Sequence, residues 1–168
     1  MLFHKFFPDV WMNSTYEIPF EEYYKKGYRG ILFDIDNTLV PHGKPADERA
    51  ILLFKRLKQI GYEVCIMSNN KEQRVSSFSK EVGVDAFIFK ANKPSIKSYQ
   101  LGMKKMGTNT KNTLFVGDQL FTDIYGANRA GIKSILVNPI HPKEEIQIVL
   151  KRHLEKLVLR GYPHKHKK

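Results

Sequence analysis

Cysteine is nearly absent from this sequence, since Cys65 is the only one among 168 residues. A single cysteine excludes a disulfide within the chain and a CxxC metal pair. Long apolar runs are also missing, because no stretch approaches the roughly 18 residues that a bilayer-spanning helix needs. The first segment, MLFHKFFPDVW, carries Pro8 and Asp9 where the apolar part of a secretory signal would continue. We therefore expect a cytoplasmic protein.

Acidic residues are outnumbered, with 28 Lys and Arg against 17 Asp and Glu and a formal net charge of +11. Residues 1–30 are balanced, residues 31–140 hold sixteen basic and ten acidic residues, and the last 28 residues hold eight basic and three acidic ones. A surplus of positive charge attracts anions, which include phosphorylated metabolites, RNA and acidic lipid headgroups. For the tail GYPHKHKK the alternative is a disordered, solubilising segment.

Apolar and amphipathic stretches alternate through most of the chain. The hydrophobic fraction of 42% and charged fraction of 27% are typical of a globular domain. Continuous apolar runs predict buried strands, and helical spacing followed by Gly, as at Gly61 and Gly83, predicts helices. The predicted strands are 29–36, 62–68, 85–90, 112–118 and 133–139, and the predicted helices are 45–61, 70–83, 94–107, 120–131 and 141–159.

This alternation predicts the α/β class, with a five-stranded parallel sheet between two helical layers in a three-layer, Rossmann-like α/β/α sandwich. The last helix is predicted to be amphipathic, with an apolar face formed by Ile146, Val149, Leu150, Leu154 and Leu157. The first 28 residues lie outside the alternation and are rich in aromatic residues. They fit either a cover for one face of the sheet or a membrane-docking segment.

Polar side chains follow four successive predicted strands. Ligands bind beyond the carboxyl ends of such strands, where the strand order reverses. We therefore expect these side chains to meet at one edge of the sheet. They are Asp34 and Asp36 after the first strand, Ser68 and Asn69 after the second, Lys93 beyond the third, and Asp118 with Asp123 after the fourth.

Clustered carboxylates repel one another unless a cation or a proton lies between them. Asp34, Asp36 and Asp118 offer the hard oxygen ligands that Mg²⁺ prefers. An ionised Asp34 would attack phosphorus and form an aspartyl-phosphate. Asp36 would donate a proton to the leaving oxygen and later accept one from water. Ser68, Asn69 and Lys93 would hold the phosphoryl oxygens, which is most of what phosphoryl transfer requires.

Each of these residues also has a purely structural interpretation. Asp118 would cap the turn after its strand. Ser68 and Asn69 would cap the helix that begins near residue 71. Lys93, before a proline, would be a solvated residue at a helix start. His42 is interpreted as a surface residue and Cys65 as part of the core. The ordered combination at four strand ends favours the catalytic interpretation.

The stretch from Ile31 to Val40, ILFDIDNTLV, resembles the first motif, hhhDxDxT, of haloacid dehalogenase (HAD) superfamily phosphatases. The remaining motifs follow in the family's order at Ser68, at Lys93 and in VGDQLFTD, residues 116–123. The resemblance implies that Asp34 is the nucleophile and Asp36 the general acid and base. It further implies that Asp34, the Asp36 carbonyl and Asp118 bind Mg²⁺, with Asp123 contributing directly or through water, and that the first strand lies centrally beside the fourth.

The spacing of these motifs leaves no room for a cap domain, because 29 residues separate Thr38 from Ser68 and 24 separate Ser68 from Lys93. More narrowly, DIDNTLVPH and VGDQLFTDIYGANRAG resemble the capless subclass IIIA and its YqeG-type branch, which is related to phosphatidylglycerophosphate phosphatases. The implied layout is one HAD-like domain over residues 1–168. It consists of an extension (1–29), a catalytic core (30–140) and a C-terminal helix with a basic tail (141–168).

An open site suits a large or surface-presented phosphorylated substrate, such as a phospholipid headgroup, with peripheral contact to an anionic membrane. Two other functions share the same features. A receiver-like signalling module would also carry a phosphorylatable Asp, although its acceptor normally follows the third strand. A basic RNA-associated or ribosome-associated protein on the same fold would explain the charge, although no RNA-binding motif is recognised.

Overall fold

The computed structural model of the protein describes residues 3–141 and 146–163, with the backbone alone for residues 146–149. The strands are β1 (Val10–Met12), β2 (Gly30–Phe33), β3 (Glu63–Met67), β4 (Ala86–Ile88), β5 (Thr113–Gly117) and β6 (Lys133–Val137). The helices are α1 (Phe20–Lys25), α2 (Glu48–Ile60), α3 (Glu72–Val82), α4 (Ile96–Met106), α5 (Tyr125–Ala130) and α6 (Ile146–Leu159). Short 3-10 turns occur at His4–Phe6 and Thr15–Glu17, and a π-helical turn spans Leu120–Ile124.

The six strands form one parallel sheet in the order β1-β6-β5-β2-β3-β4. The predicted parallel α/β architecture is therefore confirmed, and β2 lies centrally between β5 and β3. Phe33 of β2 is in register with Val116 of β5. Because these two strands leave the sheet side by side, the residues that follow them, Asp34 and Asp118, emerge next to each other.

The prediction of five strands is wrong by one. The additional strand is β1, which pairs with β6 at the edge of the sheet and lies in the segment that the sequence pattern left outside the alternation. Three partly buried residues are too few to show a strand period. Side-chain contacts anchor the strand instead, since Ser134 N–H donates to the Asp9 carboxylate at 2.9 Å and the Trp11 indole donates to Asn138 at 2.9 Å.

The sheet is covered on both faces. On one face Phe33 packs with Phe54 of α2 and Phe78 of α3, and on the other Leu32 packs with Tyr99 of α4 and Phe115 of β5. The N-terminal segment adds buried side chains to the first face, including Ile18, Phe20 and Tyr23. Two of the N-terminal aromatic residues, Phe20 and Tyr23, therefore cover the sheet. Cys65 is fully buried, as expected, and burial raises the pKa of its thiol to about 12.

The C-terminal helix α6 does not bury the leucine face that its sequence predicts to be the apolar face. The predicted start of this helix at residues 142–145, the side chains of Ile146 and Val149, and the tail residues 164–168 lie outside the described residues. Leu150, Leu154 and Leu157 share one face, but that face is exposed, at 62%, 55% and 56%. The buried face carries Val158 and Glu155 instead. No helix in the described part of the chain is both long and apolar enough to cross a bilayer.

Candidate active site

Side chains from the ends of four strands line an open cleft of about 300 Å³. Asp34 and Asp36 follow β2, Ser68 and Asn69 follow β3, and Lys93 lies beyond β4. The structure thus brings together five residues that the sequence singled out. The cleft is lined by Asp34, Asp36, Asn37, His42, Ser68, Asn69, Asn70, Lys93, Gln119 and Thr122.

Beneath this cleft lies a buried triad of carboxylates, Asp34, Asp118 and Asp123. One oxygen of each lies within 4.8 Å of the other two. Thr38 joins two of them, since its hydroxyl lies 3.0 Å from Oδ1 of Asp118 and 3.2 Å from Oδ2 of Asp34. Asp123 is fixed by its own loop, because its Oδ2 accepts hydrogen bonds from the N–H groups of Asp118 and Gln119 at 3.2 and 3.1 Å. The predicted turn-capping role thus belongs to Asp123, while Asp118 faces Asp34.

The π-helical turn brings Asp123 back to the strand end. Both Asp123 N–H and Ile124 N–H donate to the carbonyl of Gln119, at 2.9 and 3.2 Å. The helix predicted over 120–131 is therefore divided into this wide turn and α5. Wide turns of this kind occur frequently at functional sites.

Lys93 is the cation within the triad. Its Nζ donates to Oδ1 of Asp123 at 2.7 Å, to Oδ1 of Asp34 at 2.8 Å and to the carbonyl of Met67 at 3.3 Å. Its side chain is only 3% exposed, so the interpretation of Lys93 as a solvated helix-start residue is wrong. Burial opposes the charged form, but Asp123 and Asp34 outweigh it, and the pKa of Lys93 is raised.

The three buried carboxylates outnumber their lysine, and the pKa values of Asp34 and Asp118 are raised. Burial, followed by repulsion from Asp123, raises the pKa of Asp34 well above its ordinary value against the opposing attraction of Lys93. Burial also raises the pKa of Asp118 to about 6, although the guanidinium of Arg152 acts in the opposite direction. Ionised carboxylates this close together repel one another, and a cation bound between them would relieve that repulsion.

The donor set of the triad fits a divalent hard cation. Three carboxylate oxygens converge from two strand ends and one turn, and hard oxygen ligands with open positions for water or phosphate suit Mg²⁺. Asp34, Asp118 and Asp123 would hold the ion. The carboxylate of Asp36 points elsewhere, so any contribution from Asp36 rests on its main-chain carbonyl, as the sequence resemblance implies.

Asp36 lies at the rim of the cleft, where α3 and the loop after β2 hold it. Its Oδ1 accepts from Gly43 N–H at 2.8 Å and from Arg74 at 3.0 Å, and its Oδ2 accepts from the Asn70 amide at 3.4 Å. Burial raises the pKa of Asp36, but the hydrogen bond from Gly43 and the charge of Arg74 outweigh it, and the net pKa is lowered. His42 is half-exposed and 4.0 Å from Asp36, at the rim of the cleft.

The residues after β3 also line the cleft. The hydroxyl of Ser68 accepts from Asn70 N–H at 3.1 Å. Asn69 fixes the backbone at Lys93, because the main-chain N–H of Lys93 donates to the Asn69 side-chain oxygen at 2.8 Å. Neither residue caps α3, whose N-cap is Lys71, so that interpretation is wrong.

Three residues of the site were not identified as functional from the sequence. Thr38 bridges two carboxylates, and its position in the hhhDxDxT motif was the signal that could have identified it. Arg74 binds Asp36 from α3. Arg152 of α6 binds Asp118 from 34 residues away in the chain, and nothing in the local sequence of α6 marks that contact.

Comparison with known proteins places this geometry in a family. A family model described as haloacid dehalogenase-like hydrolase matches residues 31–110, and a second, described as HAD-hydrolase-like, matches residues 90–147. Together the two matches span the residues that line the cleft and form the triad.

Two curated relatives match most of the chain. "Probable phosphatase YqeG" of Bacillus subtilis is 36% identical over 160 residues, which cover 95% of this chain and 92% of that protein. Phosphatidylglycerophosphate phosphatase 1 of Arabidopsis thaliana is 28% identical over 172 residues, which cover 92% of this chain and 47% of that protein.

Solved structures share the fold at low sequence identity. The 3-deoxy-D-manno-octulosonate 8-phosphate phosphatase of Moraxella catarrhalis, solved with magnesium, phosphate and KDO, superposes with a TM-score of 0.50 at 18% identity, covering 83% of this chain and 91% of that one. The cobalt-bound deoxy-D-mannose-octulosonate 8-phosphate phosphatase of Haemophilus influenzae gives a TM-score of 0.51 at 16% identity, covering 80% and 89%.

Proposed function

The chain belongs to the haloacid dehalogenase-like hydrolases as a phosphatase of the YqeG type, and we propose that it hydrolyses phosphomonoesters through an aspartyl-phosphate on Asp34 with Mg²⁺ as its cofactor. The observation that carries this proposal is the buried triad of Asp34, Asp118 and Asp123 at an open cleft, with the Nζ of Lys93 bound to Asp34 and Asp123.

In the first half-reaction, the Asp34 carboxylate attacks phosphorus, and the bond from phosphorus to the leaving oxygen breaks. Asp36 donates a proton to that oxygen. Lys93, Ser68 and Asn69 hold the phosphoryl oxygens. A Mg²⁺ ion bound to the triad would supply charge neutralisation for the dianionic phosphoryl group.

In the second half-reaction, Asp36 accepts a proton from water, whose oxygen attacks phosphorus and releases inorganic phosphate and free Asp34. The lowered pKa of Asp36 suits this step, because Gly43 and Arg74 hold the side chain as a carboxylate. For the first step, Asp36 would take up a proton from solvent, and the entering phosphate dianion would favour this by raising the pKa of Asp36.

The test is hydrolysis of p-nitrophenyl phosphate with EDTA or Mg²⁺, in the wild type and in Asp34→Asn. We expect activity with Mg²⁺ only and no turnover in the variant. Asp85→Asn, at an exposed position, is the matched control and should retain full activity. Activity retained in Asp34→Asn would remove the nucleophile assignment, and acid-quenched radiolabelled phosphoenzyme on Asp34 would support it.

The lifetime of that phosphoenzyme separates hydrolysis from signalling. A receiver-like module would keep the phosphoryl group on Asp34, whereas a phosphatase releases it within one turnover. The names of the curated relatives favour a phosphatase over the receiver-like and RNA-associated alternatives.

For the substrate, we propose a large or surface-presented phosphomonoester, with phosphatidylglycerophosphate as the leading candidate. Three observations support it. Within the described residues no inserted domain covers the cleft, since the segments between the motifs are occupied by α2, α3 and their connections. The exposed leucines of α6, Leu150, Leu154 and Leu157, lie beside the exposed basic residues Lys156 and Arg160, which suits an anionic bilayer. A relative is named for this substrate.

Vesicle sedimentation tests the surface part of this proposal. Wild-type protein should bind phosphatidylglycerol vesicles and not phosphatidylcholine vesicles, and Leu154→Glu should lose binding while Leu52→Glu, at an exposed position of α2, should not. A screen of phospholipids, sugar phosphates and nucleotides identifies the headgroup. Equal binding of wild type and Leu154→Glu, or preference for a soluble phosphate, would contradict the proposal.

A further inference from the structure

The C-terminal helix α6 brings two charged side chains, Arg152 and Glu155, to the back of the carboxylate triad. Neither residue lines the substrate cleft, and both line a second cavity together with Asp118. Both belong to the inward face of α6, and Glu155 is buried. Removing charged side chains from water is unfavourable unless other groups pair with them, so the partners of Arg152 and Glu155 show what they do.

Arg152 contacts Asp118 at two points. Its Nη2 binds Oδ2 of the Asp118 carboxylate, and its Nη1 donates to the Asp118 main-chain carbonyl at 2.6 Å. The Asp118 side chain is fully buried and that of Arg152 is 13% exposed. Glu155 fixes the arginine from behind, since its Oε2 lies 3.2 Å from Nη1 of Arg152 and its Oε1 accepts from Leu120 N–H at 2.8 Å.

The two oxygens of Asp118 face opposite sides. Oδ1 lies 3.0 Å from the Thr38 hydroxyl, toward Asp34, while Oδ2 faces Arg152. Arg152 therefore leaves Oδ1 available to a metal ion. It acts on the triad through its charge and through the orientation of Asp118, and it is a positioning residue, since it does not reach the cleft.

The charges of the triad show what Arg152 contributes. Lys93 pairs with Asp34 and Asp123, and its ion pairs do not include Asp118. Among the described residues, Arg152 is the cation that pairs with Asp118. In the metal-free site, the three carboxylates are thus paired with two cations, Lys93 and Arg152. Arg152 lies outside the sequence motifs that resemble those of the HAD family.

We propose that Arg152 is a resident counter-ion of the active site, which stabilises the metal-free triad, lowers its affinity for Mg²⁺ and raises its affinity for the phosphoryl anion. This inference rests on the proposed function, but its test measures binding instead of turnover, so the two can fail separately. The signs follow from electrostatics, because a fixed positive charge near a site repels a cation and attracts an anion.

The sharpest variant is Arg152→Gln, which removes the charge and keeps a hydrogen-bond donor. By isothermal titration of MgCl₂ into metal-free protein, we expect about tenfold tighter Mg²⁺ binding in the variant. Titration of inorganic phosphate at saturating Mg²⁺ should show about tenfold weaker phosphate binding. Opposite changes for cation and anion are diagnostic, because a merely loosened site would weaken both.

Two matched variants separate charge from other effects. Arg152→Lys keeps the charge and should stay within about twofold of the wild type for both ligands. Lys151→Gln removes the same charge from an exposed position of α6 and should leave both affinities unchanged. Fluorescence of Trp11, the only tryptophan, reports folding, because its ring contacts that of Tyr162 just after α6.

Weaker Mg²⁺ binding by Arg152→Gln, or unchanged affinity for both ligands, would overturn the counter-ion role. If Arg152→Gln does not fold, Arg152→Lys decides: retained affinities support the role, and loss of both overturns it. A wild type that binds Mg²⁺ while Arg152→Gln behaves identically refutes this inference alone. A wild type and variants that all fail to bind Mg²⁺ refute the proposed function with it.

Discussion

The Nζ atom of Lys93 lies 2.8 Å from Oδ1 of Asp34, in an ion pair that joins residues 59 positions apart in the chain. Both side chains are almost completely buried. The proposed nucleophile is therefore held in the metal-free site by the same ammonium group that is proposed to hold the phosphoryl group. This pair makes the stability of the fold depend on the residues of the active site.

Replacing Lys93 by Met should destabilise the protein. The change leaves Asp34 and Asp123 buried without their cation, and removal of one partner from a buried ion pair costs about 3 kcal/mol or more in the free energy of unfolding. Urea unfolding with EDTA measures the loss. Lys97→Met, at an exposed position of α4, should change stability by less than about 0.5 kcal/mol. Equal stability of the two variants would show that the Lys93 pairs contribute little.

Replacing Asp36 by Asn should affect substrates according to their leaving groups. An alkyl alcohol needs a proton as it departs, whereas p-nitrophenolate does not. We expect kcat/KM for an alkyl phosphate to fall by about 10²-fold or more, and that for p-nitrophenyl phosphate to fall much less. Asp85→Asn serves again as control. Equal losses on both substrates would argue against Asp36 as the general acid.

Gly117 allows Asp123 to approach the end of β5. A Cβ atom on this residue would lie 2.5 Å from Oδ2 of Asp123, which accepts two main-chain hydrogen bonds from the same loop. Gly117→Ala should therefore displace Asp123 and lower the free energy of unfolding by about 2 kcal/mol, with loss of phosphatase activity.

The matched control for Gly117 is Gly161→Ala, whose added Cβ would meet its nearest atoms at 3.6 Å. That variant should keep wild-type activity, and thermal unfolding followed by circular dichroism compares the two. Wild-type behaviour of Gly117→Ala would mean that the Asp123 loop can shift without consequence.

The contribution of Asp118 to the stability of the metal-free protein should fall as pH rises from 4 to 7. Burial raises the pKa of Asp118 from 3.8 to about 6, so the folded state binds this proton more tightly than the unfolded state does. The contribution is complete below pH 3.8 and is lost as pH rises through about 6.

Asp118→Asn isolates this contribution, because asparagine does not titrate. The difference in free energy of unfolding between the wild type and the variant, measured in EDTA, should decrease between pH 4 and pH 7, and Mg²⁺ should diminish the decrease. A difference that is flat or rises with pH would contradict the raised pKa.

The parallel sheet and the meeting of polar strand ends at one edge could be anticipated from the sequence pattern, whereas the central position of β2 and the proximity of Asp34 and Asp118 were implied by the family resemblance. Apolar runs that end in polar residues predict strand ends, and parallel strands carry those ends to one edge. The strand count could not be anticipated, because β1 has three residues and depends on contacts to β6. The exposure of Leu150 and Leu154 could not be anticipated either. The hydrophobic pattern of α6 predicts that the leucine face is buried, and it contains no information on the contacts of Arg152 and Glu155, which lie on the inward face instead.

The sequence by itself determined the order of the elements and the residue types at each strand end, because these depend on local periodicity and on the chemistry of neighbours in the chain. Only the tertiary structure decided which charges face each other. Lys93 between Asp34 and Asp123, Arg74 on Asp36 and Arg152 behind Asp118 are contacts between residues 30 to 59 positions apart. Electrostatic energy depends on distance and burial, which chain position does not reveal.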